Sequence, residues 1–469
     1  MKNLLFSTFV SSFIFIFYSC QSPNGQELYK THCAGCHGLN LEGTSSGVKL
    51  LNPHWKNEEG RDYIRSTVKF GIPSTTMISW EKALTNKEVD AITNYLIETQ
   101  GTQEAFEVNT EPETIETNQY TLKIEKIVVE HLTTPWGIEF VNSDSALISE
   151  KKGRLKWLIQ GKLDTSFIEG LPKPHLASST GGFMDIALDP DFDENRWIYL
   201  AYSHTNGHPK DKEALGMTKI VRGKISNNHW QQEQTLFEVP DSQKVVHGDR
   251  WGCRLLFDRE GLLYFSIGDM GRAKDSQKLN KPSGKVFRIH PDGAIPIDNP
   301  FVDTPNALPA IYTLGNRNTQ GLALHPQTGA IWSTDHGPQG GDELNILQKG
   351  ANYGWPVITH GIGYNGEVIS RKNRKKGMEQ PVVQWTPSIA VCPTEFVTSP
   401  LFPKWHNNLL LGGLAFQELR RLELRGEKVR RQEILLKGMG RIRDLKFGPN
   451  GQLYVLTNSP DRVLQIVPQ

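Results

Sequence analysis

The chain has 469 residues, which is longer than a single compact domain usually reaches, so two or more folding units are expected. Apolar residues make up 37% of the sequence and charged residues 22%, as in ordinary soluble globular proteins. The formal net charge is +1, which gives no electrostatic reason to expect nucleic acid or an anionic surface as a partner.

Residues 1–20 are typical of a secretory signal peptide. Lys2 precedes an apolar run over residues 4–18 that is short for a membrane span. Cys20 follows a small serine and precedes polar residues, as the acylated cysteine of a bacterial lipoprotein does. We therefore predict export, with the protein in the periplasm or attached to the outer membrane as a lipoprotein. Cleavage near Cys20 without lipidation and an uncleaved anchor are the alternatives.

Residues 33–37 read CAGCH, the attachment motif of a c-type haem. Cys33 and Cys36 are spaced to add across the two vinyl groups, and His37 is placed to bind the iron. A zinc site would need two further ligands at suitable spacing, and no other cysteine lies near these two. We predict covalently bound haem c in a small all-α cytochrome c fold over residues 21–100.

Two further helices are predicted in this domain, and the second ligand of the haem iron is expected between them. Residues 26–29 form a short helix leading into the CAGCH motif, as in small cytochromes c. Residues 85–88 form a capping box ahead of apolar residues at helical spacing, which predicts a helix that packs on the haem edge. Met77 is the only methionine between these helices, so we predict it as the sixth ligand. His54 is the alternative ligand.

Residues 101–119 are rich in Glu and Thr and have almost no apolar periodicity. This composition is typical of a solvated, extended linker. We therefore predict that the domains on either side of it fold separately.

From residue 120 to 469, a turn containing Asp, Pro, Gly or Asn is repeatedly followed by a short alternating strand. The clearest strands lie at residues 197–202, 262–267, 330–333 and 452–456. Repeated short strands over this length predict an all-β domain, a six-bladed β-propeller rather than a sandwich. Cys253 and Cys392 lie far apart in this domain and are predicted to be small buried residues.

Several blocks of this domain resemble the glucose/sorbosone dehydrogenase family, soluble sugar dehydrogenases that use pyrroloquinoline quinone (PQQ) with calcium. The most specific blocks are LGNRNTQG at residues 314–321, DHGPQGGDELN at 335–345 and NYGWP at 352–356. The resemblance extends from LTTPWG at 132–137 to RIRD at 441–444 and covers nearly the whole domain. Together with the front domain, it implies a PQQ sugar dehydrogenase fused to a class I c-type cytochrome.

The resemblance also implies a set of cofactor and metal contacts. The family's cofactor is a flat ortho-quinone with three carboxylates, which arginines can pair with bidentately. The residues that match its quinone contacts are Arg317, Asn318, Arg441 and Arg443, and Arg317 also matches the arginine that stabilises the reduced quinone oxygen. The residues that match the family's two calcium sites are Gly337 and Pro338, through their carbonyl oxygens, and Glu343 with Tyr353. Taken singly, each residue also fits a turn, a solvated carboxylate or an exposed strand face.

The catalytic base is where this sequence departs from the family. The family has a His-x-Gly-x-Arg-Leu block, whose histidine removes the proton of the sugar's C1 hydroxyl while hydride passes to the quinone. Residues 250–255 read RWGCRL, so Arg250 occupies the histidine position, and an arginine is not a base at neutral pH. His247 is the predicted substitute, with Asp249 or a loss of the dehydrogenase chemistry as alternatives. A second departure is Thr180, where the family often has a glutamine that contacts the quinone.

The predicted function is that of an exported oxidoreductase that oxidises an aldose or related sugar with PQQ and calcium and passes electrons to its own haem. The alternative is a calcium-bearing propeller that binds carbohydrate or hydrolyses a lactone without quinone chemistry, beside a separate electron-transfer domain. Arg250 favours the alternative, and the retained arginines favour the dehydrogenase. The expected partners are the sugar and a downstream electron acceptor, such as another cytochrome or a membrane oxidase chain. Nucleic acid is not expected, and membrane contact is expected only through the lipid anchor.

We expect the replacement of both Cys33 and Cys36 by alanine to abolish covalent haem staining on a denaturing gel, because no thioether bonds can form. The matched control replaces Cys253 and Cys392 by alanine and should keep the stain. Staining that survives in the first variant would contradict the haem assignment.

Overall fold

The structure is a computed structural model that divides into two compact units, residues 1–104 and 105–469. It describes residues 23–39, 41, 50, 58–71, 77, 79–81, 83–99, 112–177, 180–364 and 367–469. The predicted signal peptide with Cys20, and the alternative iron ligand His54, lie outside the described residues. No helix in these ranges is both long and apolar enough to cross a membrane.

The described part of the front unit is helical, as predicted. Its helices are α1 (Gly25–His32), α2 (Ala34–His37), α3 (Glu58–Phe70) and α4 (Asn86–Thr99). The Asn24 side chain caps α1 by accepting hydrogen bonds from the backbone N–H groups of Gln26 and Glu27. The predicted capping box opens α4, because Thr85 N–H donates to Glu88 Oε2 at 2.7 Å and Glu88 N–H donates to Thr85 Oγ1 at 3.4 Å.

Helices α1 and α4 pack closely around a small apolar core. Tyr29 is fully buried, its ring centroid lies 5.5 Å from that of Tyr95, and its hydroxyl donates to the Gly38 carbonyl at 2.6 Å. Gly25 allows the close approach, since a Cβ there would lie 2.0 Å from the Ala91 carbonyl oxygen. This packing holds the helix that leads into the CAGCH motif.

The second unit is a six-bladed β-propeller, which confirms the predicted fold. It begins with β1 (Thr114–Glu116) and β2 (Thr121–Val128). Blade 1 contains β3 (Pro135–Phe140), β4 (Ser145–Glu150), β5 (Arg154–Ile159) and β6 (Lys162–Leu163). Blade 2 contains β7 (Phe183–Leu188), β8 (Ile198–Thr205), β9 (Gly216–Ser226) and β10 (His229–Phe237). Blade 3 contains β11 (Leu255–Phe257), β12 (Leu263–Ile267), β13 (Lys285–Ile289) and β14 (Ile311–Leu314).

The remaining blades follow the same antiparallel plan. Blade 4 contains β15 (Thr319–Leu324), β16 (Ile331–Asp335), β17 (Asp342–Ile346) and β18 (Val383–Trp385). Blade 5 contains β19 (Val391–Phe396), β20 (Leu409–Gly413), β21 (Glu418–Arg425) and β22 (Lys428–Lys437). Blade 6 contains β23 (Arg441–Phe447), β24 (Leu453–Asn458) and β25 (Arg462–Pro468) together with β2 and β1. The described connections also include α5 (Phe192–Asn195) and the 3-10 turns Asp241–Gln243, Ala273–Gln277 and Pro403–Trp405.

The repeated pattern found in the sequence marks the same position in four of the six blades. The four predicted strands correspond to β8, β12, β16 and β24, each of which is the second strand counted from the first strand of its blade in the chain. The turn before each of them reverses the chain after β7, β11, β15 and β23. Cys253 and Cys392 are both fully buried, as predicted.

The ring is closed by pairing the two ends of the domain. Strand β2 lies between β1 and β25, with Leu122 opposite Pro468 and Val128 opposite Val463. Strand β1, which lies inside the predicted linker 101–119, pairs with β2. The sheet therefore begins before the predicted boundary at residue 120: β1 joins it by pairing with β2 and by packing Ile115 against the apolar core.

A single arginine joins the blades at the centre of the propeller. Arg254, just before β11, donates from Nη1 to Asp185 Oδ1 at 3.1 Å and to Asp444 Oδ1 at 2.8 Å. Its Nε donates to the Gln320 carbonyl at 3.1 Å, and its guanidinium lies 4.5 Å from the Trp136 ring centroid. These partners belong to β7, β23, β15 and β3, so blades 1, 2, 4 and 6 all meet this residue of blade 3.

The charge of Arg254 affects the ionisation of the buried carboxylates around it. Burial raises the pKa of Asp185 to about 7, the charge of Arg254 opposes this increase, and Asp444 adds to it. A buried ion pair is weak evidence for stability, but the removal of one partner leaves an uncompensated buried charge. Arg254 is therefore needed for stability, because without it the buried carboxylates of Asp185 and Asp444 would have no opposite charge beside them.

We expect Arg254→Met to lower the free energy of unfolding of the propeller by about 3–5 kcal/mol. The folded-state pKa of Asp185 lies above the unfolded value of about 3.9, so the stability tied to its protonated form is lost as the pH rises through about 7. The fall in melting temperature from the parent protein to Arg254→Met should therefore be larger near pH 8 than near pH 5, and calorimetry at the two pH values measures it. The control is Arg425→Met at an exposed position, and equal melting curves for both variants would contradict the role of Arg254.

Candidate active site

The predicted quinone contacts Arg317 and Asn318 lie in the turn between β14 and β15. The buried carboxylate of Asp335, at the end of β16, accepts the Arg317 N–H at 3.0 Å and the Asn318 N–H at 2.5 Å. Burial raises the pKa of Asp335 to about 6, although these two hydrogen bonds lower it. Asn318 Oδ1 accepts the Gly252 N–H at 3.2 Å and so holds the RWGCRL block beside the same turn.

The guanidinium of Arg317 is buried and only partly paired. Its Nη1 donates to the carbonyl oxygens of His336 at 3.0 Å and Gly337 at 2.7 Å. It lies 5.3 Å from the Trp355 ring centroid. Within the described residues, the buried Nε of Arg317 has no hydrogen-bond partner. The Gly337 carbonyl, a predicted calcium ligand, is therefore occupied by Arg317 in this structure.

The charges of the predicted arginines act on one buried histidine, His336. Burial lowers the pKa of His336 to about 3, and the charges of Arg317, Arg443 and Arg441 lower it further. The buried Nε2 of His336 has no hydrogen-bond partner among the described residues. The Arg443 Nε donates to Asn458 Oδ1 at 3.2 Å, which fixes its side chain. Burial and three positive charges thus keep the imidazole neutral.

Sequence reasoning missed His336, although it lies inside the DHGPQGGDELN block. The sequence around His336 gives no signal of its role, because the charges of Arg441 and Arg443 act on it only after blades 4 and 6 have come together in the fold. The buried, unpaired Nε–H of Arg317 is the kind of donor that a bound anion would satisfy. A flat polycarboxylate therefore fits this cluster, which we name the arginine cluster (Arg317, Arg441, Arg443 and His336).

The second predicted calcium site lies on blade 4. Burial raises the pKa of Glu343, on β17, to about 8, and the charges of Asp335 and Asp342 add to the increase. Asn345 donates to Glu343 Oε2 at 3.0 Å, while its own buried Oδ1 has no hydrogen-bond partner in the described part of the chain. A hard cation would suit this concentration of oxygen atoms and would reverse the increase.

The other predicted ligand of that site is held differently. The hydroxyl of Tyr353 donates to the Ile346 carbonyl at 2.6 Å and accepts the Gln348 N–H at 3.0 Å. Its phenol oxygen is thus bound to backbone groups rather than to Glu343. In the described ranges, no three His, Cys, Asp or Glu side chains are grouped so that they could hold a metal ion.

The structure does not bring the predicted base His247 to Arg317. The His247 side chain is 62% exposed, and its Nε2 lies 3.4 Å from Glu213 Oε1. Arg250 instead points inward, where its Nε donates to Asp269 Oδ1 at 2.7 Å. Asp269 in turn accepts the Trp355 indole N–H at 2.8 Å and donates its backbone N–H to the Arg317 carbonyl at 2.7 Å.

The haem motif of the front unit forms a single helical turn. The N–H of His37 donates to the Cys33 carbonyl at 3.0 Å, so one turn of helix spans the two cysteines and the histidine. Cys33 and His37 are buried, Cys36 is exposed and Met77 is half-buried. Burial raises the pKa of the Cys33 thiol to about 11. The motif therefore presents its thiols and imidazole within one turn, as covalent haem attachment requires.

The comparison with known families agrees with this arrangement. The model of the family described as Glucose / Sorbosone dehydrogenase matches residues 132–465. The chain belongs to the glucose/sorbosone dehydrogenase family. A second family model, Cytochrome C oxidase, cbb3-type, subunit III, matches residues 21–96, so the family's propeller is joined here to an N-terminal cytochrome c domain.

Relatives within the glucose/sorbosone dehydrogenase family cover most of the propeller. The aldose sugar dehydrogenase YliI of Escherichia coli is 36% identical over 354 residues, which is 74% of this chain and 94% of that protein. A crystal structure of a glucose dehydrogenase is 35% identical, with a TM-score of 0.69, over 73% of this chain and 99% of that one. The quinoprotein glucose dehydrogenase B of Acinetobacter calcoaceticus is 34% identical over 204 residues, 39% of this chain and 41% of that protein.

The arginine cluster predicts binding of an aromatic polycarboxylate. We expect Arg443→Gln to weaken the binding of benzene-1,3,5-tricarboxylate by roughly 10- to 100-fold, because a hydrogen bond to a charged group is worth about 1.5–3 kcal/mol. Calorimetric titration of the protein without added cofactors measures this difference. The exposed Arg425→Gln is the matched control, and equal affinities for the two variants would contradict the assignment.

Proposed function

We propose that the protein oxidises an aldose or a related sugar with PQQ and calcium and passes the electrons to the haem c of its front domain. The observation that carries this proposal is the arginine cluster. The charges of three arginines all act on a neutral histidine, and the buried Nε of Arg317 has no partner among the described residues. Such a site is costly unless an anion with several carboxylates binds there.

The residues that would hold PQQ are Arg317, Asn318, Arg441 and Arg443. Guanidinium groups suit planar carboxylates because they donate parallel hydrogen bonds. When bound, the quinone supplies a two-electron acceptor beside the sugar. The name of the quinoprotein glucose dehydrogenase B supports the same cofactor class.

The two predicted calcium sites fit a cation unequally. The surroundings of Glu343 are rich in carboxylate and amide oxygens, and a divalent cation would relieve the repulsion among its carboxylates. The Gly337 carbonyl, in contrast, accepts a hydrogen bond from Arg317 at 2.7 Å. A cation at Gly337 and Pro338 would require Arg317 to turn away from that oxygen, since both would compete for it.

The protein's own groups would prepare the site for charge development. Arg317 would place a buried positive charge beside the oxygen of the acceptor that becomes anionic. Electrostatic stabilisation of this kind is usually the largest single contribution to catalysis. Trp355 lies against this guanidinium, and its indole N–H is bound to Asp269. Both contacts would limit the movement of the charge on the side of the guanidinium that faces Trp355.

The front domain would accept the electrons. Cys33 and Cys36 would hold the haem covalently, with His37 and Met77 as iron ligands, and the tether would raise the effective concentration of the acceptor near the donor. A second cytochrome or a membrane oxidase chain would then take the electrons onward. The signal-like residues 1–20 support export, with Cys20 as a lipid attachment site in the periplasm or at the outer membrane.

We expect the haem absorbance bands of the full-length protein to show reduction only when PQQ, calcium and an aldose are all present. The measurement is stopped-flow absorbance on mixing the reconstituted protein with a panel of aldoses, with each component omitted in turn. A haem that stays oxidised with every sugar, although PQQ is bound, would contradict the proposal. In that case the carbohydrate-binding or lactone-hydrolysing alternative would be the better account.

A further inference from the structure

The two departures from the family pattern meet at one carboxylate. Arg250, in the position of the family's histidine, donates from Nη1 to Asp249 Oδ2 at 2.7 Å and from its backbone N–H to Asp249 Oδ1 at 2.9 Å. Thr180, in the position of the family's glutamine, donates from Oγ1 to Asp249 Oδ1 at 3.0 Å. Two residues that are far apart in the sequence, Thr180 and Arg250, therefore both donate to Asp249.

Asp249 is the accessible end of a chain of charges. The side chain of Asp269 is fully buried, that of Arg250 is 23% exposed and that of Asp249 is 46% exposed. The buried carboxylate of Asp269 orients Arg250, and Arg250 orients Asp249. In the described residues, Asp249 Oδ2 accepts only the bond from Arg250, so one of its acceptor positions remains available to a substrate hydroxyl.

This chain of charges lies beside the arginine cluster. The Arg317 guanidinium is 5.9 Å from the Tyr364 ring centroid, and Tyr364 also interacts electrostatically with Arg250. The Gly268 position brings the backbone of Arg250 near the Asn318 side chain, since a Cβ there would lie 1.9 Å from the Arg250 carbonyl oxygen and 2.6 Å from Asn318 Oδ1. A ligand held by Arg317 and Asn318 would thus lie next to Arg250 and its partner.

The other candidates for a base are less suitable. Arg250 stays protonated, and its ion pairs with Asp269 and Asp249 raise its pKa against the effect of burial. His247 is turned to the surface, where it faces Glu213. A carboxylate at the edge of the site is the group that remains.

We infer that Asp249 is the general base of the sugar oxidation, with Arg250 and Thr180 as positioning residues. This inference rests on the proposed function. In the step, the O–H bond of the C1 hydroxyl breaks and its proton moves to a carboxylate oxygen of Asp249. The C1–H bond would break at the same time, with a bound oxidised quinone supplying the acceptor for the hydrogen and its electron pair, and the C1–O bond would become the carbonyl of a lactone.

The first test compares Asp249→Asn with Asp303→Asn, a control at an exposed position outside the site. We expect Asp249→Asn to slow haem reduction by sugar by roughly 10²- to 10⁴-fold, the usual contribution of a general base. The affinity for PQQ, titrated by absorbance without sugar, and the melting temperature should stay close to those of the control. His247→Asn should lose at least tenfold less rate than Asp249→Asn.

The second test restores the residue type of the family. Arg250→His places an imidazole beside Asp269, so the double variant R250H/D249N should recover much of the rate that Asp249→Asn loses. The recovered rate should depend on pH around 6.5, where an imidazole titrates, and that dependence should be absent from the parent protein. This change in the pH profile would not follow from a merely structural role of Asp249.

The outcomes separate this inference from the proposed function. A parent protein that reduces its haem, with an Asp249→Asn variant that does so equally fast, would overturn the base assignment alone. A His247→Asn loss as large as that of Asp249→Asn, with unchanged PQQ binding, would do the same. A parent protein that fails to reduce its haem with any sugar would overturn the proposed function, and the base assignment with it.

Discussion

The buried guanidinium of Arg254 is the contact on which the arrangement of the propeller depends. Blades pack face to face through apolar side chains, and such packing alone tolerates small rotations of one blade against the next. A guanidinium donates in fixed directions, so its bonds to Asp185, Asp444 and the Gln320 carbonyl set the blades at defined positions. The same block carries Arg250 and Gly252 toward Asp269 and Asn318, so the centre of the ring and the candidate active site share one short segment.

The candidate active site differs from this centre in its charge balance. At the centre, Arg254 faces two carboxylates, and the charges are largely paired. In the arginine cluster, the charges of Arg317, Arg441 and Arg443 all act on a neutral His336. A folded protein tolerates such repulsion where a ligand supplies the missing negative charge. The contrast is the reason that we place the anion site at the arginine cluster rather than at Arg254.

The parts of the structure that local chemistry determines could be predicted from the sequence. The CAGCH motif, the capping box at Thr85 and the turns before the second strands depend on neighbours within a few residues, and the structure agrees with them. The side chains of the site depend on contacts across blades. The sequence favoured His247 over Asp249 as the base because an imidazole is the family's base type, whereas the direction of the two side chains, which the sequence does not give, favours Asp249. Strand β1 was missed because it is short and its pairing with β2 decides its conformation.

The closure of the ring by β2 and β25 has a consequence for how the protein is made. Strand β2 lies near the start of the propeller, but its partner β25 ends at Pro468, so the sixth blade cannot form until almost the whole chain has been synthesised. Until then β2 offers an unpaired edge, which is a site for wrong pairing with other strands. Contacts between residues so far apart in sequence also form slowly. The front domain, whose helices are close in sequence, can fold while the propeller is still waiting for its last strand.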